Sequence, residues 1–211
     1  MWHKILFLFL LFASLSQTFE NSAKADQKDD RLPTLFNKLL TAPPGAYSVI
    51  IESKIWQIWL ESSDPKITKL MMLGSKATHN TKYEEALGYY TEVIRHNPNY
   101  AEGWNKRALI NYLIGNYEKS LSDINRTLTL EPRHFGAISG QGLIYSAQKK
   151  WSLAKEAFES ALLVHPNMQG PKTNLDVLNT QNLEKEILRL YAAQKGIWSK
   201  TINIAVPIET P

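Results

Sequence analysis

The chain has 211 residues, with 24 Lys plus Arg against 20 Asp plus Glu and no cysteine. A net charge of +4 gives no electrostatic case for nucleic acid, which asks for a concentrated basic face. Without cysteine there are no disulfides and no thiolate metal sites, and a chain of this length buries a core without such staples.

The first residues read as an export signal. Met1–Lys4 carries one lysine, Ile5–Leu15 is an eleven-residue apolar run, and a polar stretch leads to a small-x-small site at Ala23-Lys24-Ala25. Eleven residues are too few to span a bilayer, which needs about 20, and no later segment is apolar enough. Cleavage after residue 25 removes Lys4, Glu20 and Lys24, so the net charge falls from +4 to +3. The expected location is the periplasm or the medium, with no membrane span in the mature chain.

Residues 26–66 hold a linker and a helix pair. Asp26–Asp30 is polar and reads as a loose linker. Leu32, Leu35, Phe36, Leu39 and Leu40 have the spacing of an amphipathic helix over Arg31–Thr41, and Pro43-Pro44-Gly45 breaks it. A second helix is expected over Ala46–Ser62, with Val49, Ile55, Trp56 and Trp59 on its apolar face. Asp64 then suits an N-cap and Pro65 a first helical position.

From Ile67 a 34-residue period sets in, marked by Pro98, Pro132 and Pro166. The units are 67–100, 101–134 and 135–168, each read as two helices joined by a tight turn. Small residues recur at position 8 (Gly74, Ala108, Gly142) and at position 20 (Ala86, Ser120, Ala154), where paired helices approach closely. Large or apolar residues recur at position 17 (Tyr83, Tyr117, Trp151) and at position 24 (Tyr90, Ile124, Phe158). Position 27 holds Val93, Thr127 and Ala161, and the proline at position 32 ends each second helix.

Residues 169–196 are expected to cap the array as one more helix. Leu175 and Leu178 face inward, and Leu183, Ile187, Leu190 and Tyr191 extend an apolar stripe. Asp176 stands where a fourth unit would need a small residue, so this is not a fourth repeat. The tail 197–211 has alternating Ile202, Ile204 and Val206 and no assigned partner.

No catalytic set stands out. There is no Gly-x-Ser-x-Gly nucleophile motif and no Gly-rich phosphate loop. His96, His134 and His165 fall where second helices end, where a partial positive charge suits the helix dipole. No two of the histidines have the spacing of metal ligands. No enzymatic activity, cofactor or metal is expected.

With Ala101-Glu102-Gly103-Trp104 and Gly115-Asn116-Tyr117 in the second unit, the chain resembles the tetratricopeptide repeat (TPR) family, in particular small secreted bacterial members, over 67–168. The first unit departs from the pattern, with Leu70 in place of Trp and no turn glycine. The resemblance implies an all-α, right-handed superhelical solenoid of three helix hairpins, with the N-terminal pair and the C-terminal cap added. It also implies a concave groove lined by first helices, suited to a protein or peptide partner. By register the groove would hold Met71, Ser75, Thr78 and His79 from the first repeat. The second would add Asn105, Leu109, Tyr112 and Leu113, and the third Ser139, Leu143 and Ser146.

Family members that clamp a chaperone C-terminus use Lys, Asn and Arg at positions that hold Met71, Ser75, Lys106, Gly136 and Gly140 here, so that subclass is not expected. The function implied is a non-catalytic adaptor in a bacterial envelope. The alternatives are a structural subunit docking by its convex face or N-terminal helices, and an accessory that recruits an enzyme of wall or polysaccharide synthesis.

Overall fold

A computed structural model describes residues 26–194. The signal expected over 1–25, the end of the cap at Gly196 and the tail over 197–211 lie outside the described residues. Among the described residues nine helices follow one another: α1 (Leu32–Thr41), α2 (Ala46–Leu60), α3 (Pro65–His79), α4 (Tyr83–His96), α5 (Ala101–Leu113), α6 (Tyr117–Leu130), α7 (Phe135–Ala147), α8 (Trp151–Val164) and α9 (Gln169–Gln194). The hairpins α3–α4, α5–α6 and α7–α8 stack side by side into a right-handed solenoid.

The start of the array follows local chemistry. Asp64 accepts from the backbone N–H groups of Lys66 and Ile67, and Pro65 fills the first turn, where its missing N–H costs nothing. Each hairpin then turns through one left-handed residue, at Thr81, Gly115 and Lys149 (φ 57°, 79° and 60°). The next N–H closes the turn onto the first helix, Lys82 to Ala77 O at 2.9 Å, Asn116 to Asn111 O at 2.8 Å and Lys150 to Tyr145 O at 2.8 Å. Only the second repeat supplies a glycine for that conformation, so turn glycine was a poor guide to the other two.

Within each hairpin the small residues set the spacing. Gly74 lies against the Tyr90 ring, and Gly142 against Phe158. In the second repeat the Ser120 hydroxyl donates to Ala108 O at 2.7 Å. Beside it the Arg107 guanidinium grips Asp123 with two bonds of 2.7 and 2.8 Å, and Asn111 adds a third donor at 3.2 Å. Val93, Thr127 and Ala161 are fully buried.

The N-terminal pair does not precede the array as another stacked hairpin. It lies along the rim formed by the turns between repeats, with α1 against α8 and α2 against α5. Trp59 stacks on His134 with ring centroids 4.1 Å apart and planes 9° from parallel. Phe135 sits in one core cluster with Phe36, Ile55 and Trp59. Tyr100 Oη donates to Trp59 O at 2.9 Å, Glu52 Oε2 lies 3.1 Å from His165 Nε2, and Asn167 Nδ2 donates to Ala42 O at 2.8 Å. Tyr100→Phe removes the donor from a last-turn carbonyl of α2. It should cost about 1–3 kcal/mol, with faster amide exchange in α2 than in α6 when the two proteins are compared.

Four expectations need correction here. Asp26–Asp30 is not loose: Gln27 and Asp29 are buried, Gln27 bonds Asn99 O and the Ala101 N–H, and Asp29 pairs with Arg31 at 2.8 Å. Val49 is 56% exposed, and the inward face of α2 is Ile51, Ile55, Ile58 and Trp59. The helix is apolar nearly all round, so its periodicity could not select a face. His134 is not at a helix C-terminus: it caps the start of α7, its Nδ1 accepting from Ala137 N at 3.1 Å. His165 is a buried anchor for Glu52 rather than a solvated end charge.

Candidate peptide-binding cleft

Residues 105, 109 and 112 of α5 stand at i, i+4 and i+7, and 136, 140 and 143 of α7 repeat that spacing, so each set shares one helix face. Between the two faces opens a cleft of about 200 Å³. Asn105, Leu109, Tyr112, Ser139 and Leu143 line it, five of the eleven residues expected in the groove. Leu109 is 42% exposed, so the cleft offers an apolar anchor to solvent. Leu113 is exposed at the edge and Ser146 half-buried, and neither lines the cleft.

The first repeat contributes nothing to it. Met71 is buried with Ile67, Ala77 and Tyr90, which corrects its place in the groove: its side chain fills the hairpin core. Thr78 donates to Gly74 O at 2.8 Å and lies 3.5 Å from Tyr90 Oη. Ser75 and His79 are exposed on α3, away from the cleft lining.

Sequence reasoning missed three lining elements. Trp56, from α2, forms one wall. Gly136 and Gly140 open the α7 face, and a Cβ at Gly136 would stand 2.5 Å from Trp56 Cη2. Two glycines four apart on one helix face are a signal of close approach, and a Trp-rich helix outside the repeats is a candidate for what approaches.

A buried charge network underlies the site. Glu102, fully buried, takes Lys106 Nζ at 3.0 Å on one oxygen and His134 Nε2 at 2.9 Å and Asn105 Nδ2 at 3.0 Å on the other. Because His134 Nδ1 accepts from Ala137, its proton sits on Nε2 and points at the carboxylate. Desolvation pushes the Glu102 carboxyl up, but the Lys106 charge and the His134 bond outweigh it and hold it below the usual range. Glu102 in turn raises Lys106, which stays an ammonium with its Nζ 5.8 Å over the Trp56 ring. The cleft therefore has a neutralised floor, one cation at its margin and otherwise small polar and apolar groups. Among the described residues no group of His, Asp and Glu is placed to hold a metal ion.

No family model matches the chain. It is 38% identical over 148 residues to a TPR repeat-containing protein of Rhizobium etli, covering 70% of this chain and 72% of that one. The chain belongs to the TPR repeat-containing proteins. It is also 27% identical over 161 residues to Hsp70-Hsp90 organizing protein 1 of Glycine max, of whose length it spans 27%. Among solved structures, the first TPR of Spaghetti (RPAP3) bound to an HSP90 peptide is 24% identical, with a TM-score of 0.53 over 56% of this chain and 94% of that one. That likeness bears on the fold alone. As a TPR protein the chain departs from a plain array in using a helix from outside the repeats to wall its concave side.

Proposed function

We propose that this TPR protein is a non-catalytic scaffold that holds a segment of another polypeptide in the cleft between α5 and α7, within the envelope of a bacterium. The observation that carries this reading is one cleft that gathers Leu109, Tyr112 and Leu143 with Asn105 and Ser139. Spaced apolar anchors with a few hydrogen-bonding groups suit an extended or helical segment. Gly136 and Gly140 bring no cation to the cleft and Lys106 is already paired with Glu102, so the segment is one gripped by its side chains rather than by a terminal carboxylate. The envelope location rests on the apolar run Ile5–Leu15 and the Ala23-Lys24-Ala25 site.

A photoreactive residue at position 109 should crosslink a discrete set of envelope proteins. Leu109→Glu with Tyr112→Ala, assayed by affinity capture, should recover at least about tenfold less of the same proteins, a loss of about 1.4 kcal/mol. Equal recovery by wild type and variant means that the cleft is not the binding surface. A second reading, a subunit docked through its N-terminal helices, draws on Tyr47, Val49 and Ile50, which are 50%, 56% and 52% exposed on α2. Loss of the captured proteins in Tyr47→Ser with Ile50→Ser, and not in the cleft variant, favours that reading.

A further inference from the structure

The helices α5, α7 and α9 form one row. α9 packs on α8 and touches α7, as α7 packs on α6 and touches α5. Leu175 and Leu178 of α9 share a core cluster with Leu143, which lines the cleft. The start of α9 therefore flanks the cleft at the level of Leu143. From Leu178 to its end at Gln194 the helix rises about 24 Å. Lys185 Nζ, 5.9 Å over the ring of Trp151 where α8 begins, marks the rim of the hairpin turns part-way along that rise.

Residues 195–211 follow Gln194 in the sequence. The straight path from Gln194 back to the level of Leu143, with one helix spacing of about 10 Å sideways, is about 26 Å. Ile202 stands at the eighth position after Gln194, and that much extended chain also spans about 26 Å. A chain doubling back from the end of α9 thus brings Ile202 to the cleft, with Ile204, Val206 and Ile208 to follow along it.

The chemistry of that stretch matches the cleft. Ile202, Ile204, Val206 and Ile208 alternate, so in an extended chain they share one face. Pro207 is compatible with such a chain and not with a helix interior. Thr201–Ile208 holds no ionisable side chain, and the cleft asks for none, because Glu102 in its floor is already paired with Lys106 and His134. Leu109, Tyr112 and Leu143 face apolar anchors, and Asn105 and Ser139 can meet backbone groups. A second copy offers the same stretch only from dilute solution, whereas a tether holds it at an effective concentration of about 1 mM.

We propose that, given the reading of the cleft as a peptide site, residues 201–208 occupy the cleft of their own chain, as an internal ligand that a partner segment must displace. At about 1 mM effective concentration, a stretch that binds at about 0.1 mM keeps the cleft roughly nine-tenths filled and weakens a competing peptide about tenfold.

The test uses the full chain. A photoreactive residue at position 109, in the purified protein alone, should crosslink within one chain to the fragment 201–211 released by cleavage after Lys200. Ile202→Asp with Ile204→Asp should abolish that product. A labelled synthetic peptide of residues 199–210 should bind this tail variant at least about tenfold more tightly than wild type. Adding Leu109→Glu and Tyr112→Ala to the tail variant should remove the gain. A crosslink that joins two copies overturns the inference, as does equal binding of the peptide to wild type and tail variant. If that equal binding still falls in the cleft variant, the cleft remains a peptide site and only the tail is excluded from it. If wild type, tail variant and cleft variant all bind alike, the cleft reading fails and the inference with it.

Discussion

Gly142→Leu should be among the most damaging single changes in this protein. A Cβ at Gly142 would stand 2.4, 2.6 and 2.8 Å from three atoms of the Phe158 ring, which is fully buried. The contact is with a rigid ring rather than the end of a flexible side chain, so relief requires α7 and α8 to move apart. Overpacking of this kind should cost about 3 kcal/mol, and the midpoint of thermal unfolding should fall by roughly 6–12 °C. Ser75→Ala, on the exposed side of α3, should stay within about 0.5 kcal/mol of wild type. Equal losses in the two variants would contradict the packing described.

Glu102→Ala should cost as much or more. It removes the one carboxylate shared by Lys106 and His134, both of which then lie against the core unpaired. Breaking a buried pair from one side typically costs about 3–5 kcal/mol, a fall of roughly 6–20 °C in the unfolding midpoint. The same group gives an acid limb to stability. Its folded value is lowered, so the stabilisation is in full above the usual glutamate value of about 4.3. It is lost as pH falls through that value to the lowered one. Glu52, held down by its bond to His165, adds a loss of the same sign. Urea unfolding of Glu102→Gln should therefore fall less steeply than wild type between about pH 5 and pH 3.

The repeat hairpins were legible because their determinants are local and recur. Gly74, Gly142, Tyr90 and Phe158 sit where a 34-residue period puts them, and α4, α6 and α8 begin at Tyr83, Tyr117 and Trp151. Asp64 and Pro65 announced the start of α3 by capping chemistry alone. What could not be read was long-range. Nothing near Trp56 in sequence says that it meets Gly136, eighty positions later. Gln27 looked like linker because its partners, Asn99 O and Ala101 N–H, belong to a turn between repeats. His134 was misread for a related reason: helix-end position gave a dipole argument, but the residue bridges to Glu102 and opens the following helix instead. The cleft was therefore only half visible, its α5 and α7 faces from register and its α2 wall not at all.

If the space between α5, α7 and Trp56 holds a polypeptide segment, a random peptide library panned on the wild-type protein should yield peptides that share spaced apolar residues. Each enriched peptide should quench or shift Trp56 fluorescence in a protein whose other tryptophans are replaced by Phe, and should lose at least about tenfold in affinity with Leu109→Glu plus Tyr112→Ala. Enriched peptides that bind the cleft variant as tightly as wild type, with Trp56 emission unmoved, would contradict it.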